Sequence, residues 1–365
     1  MSVFVTVLSL SSLATILAAL VSLADYHLND YGVCTINING GTRTVDVNGG
    51  SSILSSLAKH KIFIPSACGG KATCGLCKVT MVDTISPVLP TEEPYLTAKE
   101  IEGGVRLACQ VKVKRDLEIL IPGEFLTVSQ YQAKVEKITK LTYDIKKFRL
   151  RLLDPAQMEF KAGQYVQVDS KLYGAVREEV SRAYSISSAP SDRKAIELVV
   201  RLVPGGICTT FLHEHVKVGD KLTLAGPFGE FYLREGADHL IFIAGGSGLA
   251  PIRPMILDIL KRKLDKKMTF FFGAVSRKDL FYVDYFRDLE ARYPNFTYIP
   301  ALSGAKPEDE WDGEEGLITE VVARNISDPE GKQAYLCGSP GMIDAALGTL
   351  REIGIGAEHI YYDKF

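Results

Sequence analysis

The sequence has almost no net charge: 42 Lys and Arg stand against 44 Asp and Glu, a formal balance of -2 over 365 residues. A surface without a basic excess excludes nucleic acid as a partner. Nor does the chain have the cysteine density of a disulfide-stapled scaffold. It has seven cysteines, of which Cys68, Cys74, Cys77 and Cys109 gather in one region while Cys34, Cys208 and Cys337 lie apart. That pattern fits a metal site in a reducing compartment. No Lys or Arg precedes the apolar first stretch, so the basic flank of a cleaved secretory leader is missing. The richest glycine stretch, AGGSGLAP, is not a G-x-G-x-x-G fingerprint, so the ordinary dinucleotide motif is absent there.

What is present divides along the chain. The length predicts two or three domains, and 46% hydrophobic with 24% charged residues is ordinary for globular proteins. Residues 1–24 carry no charge; as a helix at about 1.5 Å per residue they would reach roughly 36 Å, enough to cross a hydrocarbon core. A membrane anchor is expected there. The flank DYHLND is acidic and the next Arg is Arg43, so flanking charge scarcely sets an orientation.

VCTINING and RTVDVNG alternate like the two strands of a hairpin, with Asn39, Gly40 and Gly41 at the turn. SSILSSLAKHKI then reads as a helix with Ser51 or Ser52 as cap. After it, Cys68, Cys74 and Cys77 are spaced C-x5-C-x2-C, and Cys109 in RLACQV follows after 31 intervening residues. Four thiolates suit a two-iron cluster, and Gly69, Gly70 and Gly75 let the chain wrap tightly enough to turn N–H groups toward sulfur. A structural zinc is the competing reading. Zinc sites usually bring two short pairs, and only Cys74 and Cys77 form one. The loop is one residue longer than the plant-type C-x4-C-x2-C.

A boundary is expected near IPGEFLTVSQYQ, followed by short strands separated by Gly, Pro and Asp turns, the pattern of a small barrel. In RAYS, Arg182 and Tyr184 share one strand face, a cation for a phosphate beside a ring for a flat partner. GGICTTFL sets Gly205 and Gly206 before a helix start that Thr209 or Thr210 could cap, a suitable seat for a pyrophosphate. His213 and His215, two apart on a helix, do not face one ligand and are expected in solvent. From Asp238 onward, strand and helix alternate as in a doubly wound parallel sheet, whose ligands sit beyond the carboxyl ends of the strands. This singles out the loops at Gly245, Gly273, Leu302 and Cys337. Gly245, Gly246 and Gly248 allow close approach to a diphosphate, and Pro251 suits a first helical turn. Ser276, Arg277 and Lys278 follow the strand MTFFFGA, where basic residues could grip a 2′-phosphate.

RAYS (182–185), GGICTTFL (205–212), GPFGEF (226–231), GGSGLAP (245–251) and CGSP (337–340) resemble the ferredoxin-NADP reductase superfamily over the last two thirds of the chain. With the apolar start, the cysteine loop, RLACQV, DLFYVDYF and PEDEWDGEEGLI added, the whole chain resembles the family of F subunits of sodium-translocating NADH:quinone reductases. The resemblance implies four parts. These are a transmembrane anchor over 1–25, a β-grasp [2Fe-2S] ferredoxin domain (α+β) over 26–125, an antiparallel β-barrel for FAD over 126–232, and a doubly wound α/β NAD(H) domain over 233–365.

It also implies roles. Arg182 would bind the flavin pyrophosphate, Tyr184 would stack on the isoalloxazine and Ser185 would approach its N5. Gly206, Cys208 and Thr209 would hold the FAD diphosphate. Cys337 would lie near the nicotinamide C4, Asp363 near the flavin, and Phe365 over its ring as a gate. The implied activity is NADH oxidation, with single electrons passed through the cluster to partner subunits and on to quinone, sodium translocation belonging to those partners. The soluble domains would face the cytoplasm from the inner membrane. FAD is favoured because related FMN reductases carry their cluster domain at the carboxyl end, and the resemblance favours NADH over NADPH. A reductase feeding an oxygenase shares the domain order but does not need the apolar start. A tethered, non-enzymatic binding module would not need four cysteines together with RAYS. One departure is local: between Ser170 and Ser181 only KLYGAVREEV intervenes, where the family carries a longer insertion, so a partner surface is expected to differ.

Overall fold

The computed structural model describes residues 7, 10–21, 31–83, 87–126 and 128–364. They divide after residue 127 into two compact units. Among the described residues no helix is long and apolar enough to cross a membrane. The anchor expected over 1–25 lies partly outside the described residues; within it, residues 10–21 are helical, with Leu13, Ile16, Leu17 and Leu20 exposed.

In the first unit, alternation places Cys34, Ile36 and Ile38 of β1 (Val33–Ile38) and Val45 and Val47 of β2 (Arg43–Asn48) on one buried face. The turn between them takes left-handed backbone at Asn39, Gly40 and Gly41. Ser52 caps the helix Ile53–Lys59, its hydroxyl accepting from Ser55 N at 3.2 Å, and the helix lays Ile53 and Leu57 on that face. With β3 (Lys78–Met81), β4 (Val105–Leu107) and β5 (Leu117–Leu120) the sheet order is β2-β1-β5-β3-β4, β1 parallel to β5. Ile36, Ile38, Leu57, Leu107 and Ile119 are fully buried, each worth about 1.5–3 kcal/mol of apolar burial. This core fixes the ends of β3 and β4, where Cys77 and Cys109 sit.

The second unit begins with an antiparallel barrel of β6 (Ser129–Lys140), β7 (Ile145–Asp154), β8 (Tyr165–Asp169), β9 (Ser181–Ser185), β10 (Ala195–Arg201) and β11 (Lys221–Phe228). Its order is β10-β7-β6-β11-β8-β9, and an antiparallel bridge from Ile186 to Leu198 returns the β9 end to β10. The helix Ile207–Thr210 widens into a π turn over Phe211–His215. Here one expectation fails: His213 is buried, its Nε2 2.9 Å from the Val200 carbonyl, because the wide turn rolls the ring inward against Phe148. His215 stays exposed, its ring 4.4 Å from that of Tyr173.

The rest of the unit is a parallel sheet of β12 (His239–Gly245), β13 (Lys267–Ala274), β14 (Phe296–Leu302), β15 (Glu314–Glu315), β16 (Lys332–Gly338) and β17 (Ile360–Lys364), in the order β15-β14-β13-β12-β16-β17. Its strands read as continuous apolar runs because helices cover both faces. Leu249–Arg262 and Val283–Arg292 pack on one face, Ile318–Asn325 and Pro340–Ile353 on the other. Strand order reverses between β12 and β16, so the crevice of the fold opens beyond Gly245 and Cys337.

Candidate functional site

Cys68, Cys74 and Cys77 lie on the loop leading into β3, and Cys109 follows β4. Left-handed backbone at Gly69 (φ 64°), Gly70 (85°), Ala72 (56°) and Gly75 (67°) coils the loop. At Gly75 space is also limiting, since a β-carbon there would meet the Tyr95 ring at 2.8 Å. The sulfurs come as two pairs: Cys74 Sγ donates to Cys68 Sγ at 3.4 Å, and the Cys77 thiol bonds to Cys109. The bond from Cys74 pulls the Cys68 thiol down to about 4 against the effect of burial, helped by donors on Thr73 and Lys71. Cys109 is drawn to about 7 by Cys77, Gln110 and the Ala72 amide. Cys74 and Cys77 are pushed up by the same bonds and by burial. Amide donors turned on sulfur suit an anionic iron–sulfur cluster. Among the described residues no three His, Cys, Asp or Glu side chains converge as one ion's ligands would. The two thiol pairs match the two irons of such a cluster.

The Cys109 turn is held from beneath. Glu92, fully buried, accepts Arg106 Nε at 3.0 Å and Leu107 N at 2.9 Å, and its other oxygen accepts Leu89 N at 3.1 Å. Burial raises the Glu92 carboxyl, but Arg106 and the two amides outweigh it and hold the group ionised.

On the barrel, all five residues of β9 are half-exposed, unlike the buried centres of β8 and β10. Arg182 gives one donor to the Ser181 carbonyl at 2.8 Å and enters no ion pair among the described residues, which leaves most of its fork for an anion. Burial pushes the Tyr184 phenol far above its ordinary range, and Tyr184 hydrogen-bonds Cys208. Cys208 is buried in the short helix, raised to about 11 by burial, and donates to the Val168 carbonyl at 3.7 Å. Ser185 ends β9, opposite Tyr165. Gly206, not a threonine, caps the helix; Thr209 turns back onto Val203 and Gly206. This exposed strand with a free arginine and a half-buried tyrosine beside a helix start fits a flavin with its diphosphate.

A cavity of about 990 Å³ lies beyond β12, β13 and β14, with Gly245, Gly246 and Ser276 in its wall. Gly248 and Pro251 are packed behind it. A β-carbon on Gly248 would collide with the Cys337 carbonyl, and one on Gly245 would come within 2.8 Å of Met342 Sδ. The glycines thus let turn, strand and helix meet at one point. Cys337 is fully buried beneath this turn and does not line the cavity. Burial, then the nearby Asp363, pushes its thiol far up. Asp363 pairs with Cys337 across β16 and β17, and burial lifts its carboxyl to about 6. Phe365 lies outside the described residues.

The basic grip expected after β13 is not built. Ser276 spends its hydroxyl (2.6 Å) and amide (3.0 Å) on Asp279. Arg277 points away, its guanidinium 5.7 Å from the Trp311 ring centre, and does not line the cavity. Lys278 does, but with Asp279, Glu308 and Asp309, acids that disfavour an added phosphate. Sequence reasoning missed Arg201, at the end of β10, whose guanidinium lies against Gly246 in the cavity wall. Its place just before LVPGG, at the mouth of the barrel, was the available signal.

Three family models match: a 2Fe-2S iron-sulfur cluster binding domain over 36–114, an oxidoreductase FAD-binding domain over 132–232 and an oxidoreductase NAD-binding domain over 242–347. Among solved structures, the Amycolatopsis cytochrome P450 reductase GcoB is 26% identical with a TM-score of 0.73, covering 91% of this chain and 98% of its own. The ferredoxin reductase in carbazole 1,9a-dioxygenase is also 26% identical, with a TM-score of 0.68, covering 92% and 98%. Among curated proteins, the F subunit of the Na(+)-translocating NADH-quinone reductase of Neisseria meningitidis is 34% identical over 405 aligned positions, 100% of both chains. Its counterpart in Haemophilus ducreyi is 34% identical, covering 98% of each. The Neisseria alignment is longer than the 365 residues here, so that relative carries segments this chain lacks. Similarity at this level along the full length shows that the chain belongs to the family of F subunits of Na(+)-translocating NADH-quinone reductases.

Proposed function

We propose that this chain is the NADH-oxidising, electron-input subunit of a membrane respiratory complex, taking hydride from NADH onto FAD and sending single electrons through a [2Fe-2S] cluster to partner subunits and quinone. The sulfur pairing in the first unit carries this reading. A nucleotide crevice and flavin barrel alone would serve a two-electron enzyme, whereas four thiols in two pairs under amide donors, within a stretch matching a 2Fe-2S binding domain, suit a one-electron carrier. The flavin, when bound, supplies the conversion between paired and single electrons.

The chain's residues supply binding and electrostatics. Arg182, with the helix start at Gly206, Cys208 and Thr209, neutralises the FAD diphosphate, while Tyr184 offers its ring and Ser185 a hydroxyl at the strand end. Gly245, Gly246 and Arg201 receive the NADH diphosphate, and the acids around Asp279 favour a free 2′-hydroxyl. Asp363, with its carboxyl lifted toward neutrality, is suited to hold a proton near Cys337. Cys68, Cys74, Cys77 and Cys109 ligate the irons.

We also infer that residues 1–24 anchor the chain in the cytoplasmic membrane as a single span, its soluble units on the NADH side. The exposed apolar side chains of residues 10–21 support this. Coupling to sodium would belong to partner subunits. An oxygenase reductase shares the architecture, but full-length relatives at 34% identity favour the respiratory role.

The test is an anaerobic NADH titration of the detergent-solubilised full chain, with NADPH alongside, read by optical and low-temperature EPR spectra. Bleaching of a flavin band followed by the rhombic signal of a reduced two-iron cluster is expected with NADH. Flavin bleaching without a cluster signal, at full iron occupancy, would break the proposed chain at its second step.

A further inference from the structure

Between the barrel and the parallel sheet lies a buried polar cluster that the cofactor sites leave unused. Arg253 is in the second turn of the helix that the glycine-rich turn starts. Its Nη1 donates to the Ser187 carbonyl at 2.8 Å and to Glu197 Oε2 at 2.9 Å. The other Glu197 oxygen pairs with Lys147 Nζ at 3.3 Å. Only 13% of the Arg253 side chain and 12% of that of Glu197 are exposed. The guanidinium lies 5.2 Å from the Tyr282 ring centre and 5.5 Å from that of Tyr285. Tyr282 itself is held in left-handed backbone, φ 62°, a conformation unfavourable for a bulky side chain.

A pair this buried has lost most of its hydration, and stability alone would be served as well by apolar packing. Geometry is what it adds. Arg253 stands five residues after Gly248, and Ser187 two residues after Ser185. The Ser187 amide is bonded to the Glu197 carbonyl at 2.7 Å, so strand, acid and arginine are tied together by direct hydrogen bonds. Burial would raise the Glu197 carboxyl, but Arg253, then Lys147, outweigh it and keep the pair ionised.

We propose that Arg253 and Glu197 are positioning residues for hydride transfer: their ion pair, braced on the Ser187 carbonyl, fixes the glycine-rich turn relative to the strand bearing Ser185. The proposal rests on the reading that Ser185 faces the flavin and the turn holds NADH. Neither residue touches the reacting atoms; the joint sets their separation. A displacement of about 1 Å at a reacting centre costs roughly 100-fold in rate.

The test uses the full chain with FAD bound, in the variants Glu197→Gln and Arg253→Lys, the first keeping shape without charge and the second charge without the fork. Anaerobic stopped-flow follows flavin bleaching against NADH concentration, with NADH deuterated at the transferred position run in parallel. The limiting rate is expected to fall about 10- to 100-fold, with half-saturating NADH within about threefold, FAD content retained and the isotope effect enlarged; Arg253→Lys should lie between wild type and Glu197→Gln. A limiting rate within about twofold of wild type in both variants would overturn the proposal. So would a loss of FAD and NADH affinity in proportion to the rate, which marks a merely structural pair. If wild-type flavin is not bleached by NADH, the proposed function itself falls, and the positioning role with it.

Discussion

The guanidinium of Arg201 lies so close to the backbone of Gly246 that a β-carbon on the glycine would collide with it, while Asp144 holds Arg201 Nε at 3.2 Å. A cation held by an acid thereby meets the glycine-rich turn in the cavity wall. Charge-assisted bonds of this kind contribute about 1.5–3 kcal/mol. Arg201→Ala is therefore expected to raise half-saturating NADH at least about tenfold, with a limiting flavin-reduction rate within a few-fold of wild type, in stopped-flow titrations. Arg277→Ala should leave the preference for NADH over NADPH unchanged.

Gly248 has ordinary helical backbone, φ -60°, so alanine would meet no conformational penalty there. Space is the constraint, because the new β-carbon would run into the Cys337 carbonyl. Overpacking of this sort costs about 1–3 kcal/mol. Gly248→Ala should weaken NADH binding and lower the melting temperature, while bound FAD, measured by its absorbance, stays near wild type.

Glu92→Gln would remove the carboxylate that pairs with the buried Arg106, a loss of about 3–5 kcal/mol. Denaturant unfolding of the full chain should show it, and iron content after gel filtration should fall because the Cys109 turn loses its brace. Reduction of the flavin by NADH should continue, since the flavin-binding barrel belongs to the other compact unit.

Burial, then the neighbouring Lys267 and Lys332, push the His239 imidazole down to about 4, with Nε2 2.8 Å from Thr269 Oγ1. The unfolded chain takes up this proton near pH 6.5, while the folded chain refuses it until about pH 4. Stability from this group is full above pH 6.5 and is lost as pH falls toward 4. For a partly exposed group the loss is about 2 kcal/mol. His239→Gln should flatten that part of the curve of stability against pH.

The parts of the fold that follow from local pattern were legible: the hairpin about Asn39, the Ser52 cap, the barrel strands, and the alternation after Asp238. So was the gathering of the four cysteines, which the structure brings together in two pairs. Arg201, Glu92 and the Arg253–Glu197 pair were not legible. Each acts through a partner distant in sequence, and an isolated arginine in an apolar strand or helix carries no periodic signal. His213 misled for a related reason, since a π turn changes which face a residue presents. Arg277 was assigned by position after a strand, and its attraction to Trp311 depends on a loop that folds back from beyond β14.

That loop carries the only tryptophan of the chain. Trp311 donates its indole N–H to the Glu314 carbonyl at 2.9 Å, with Arg277 over its ring, two residues past Asp309 in the cavity wall. The whole tryptophan fluorescence of the protein thus comes from one indole, two residues along the chain from the cavity wall. Any change in that emission therefore reports on the segment after β14 alone, with no other indole in the molecule contributing.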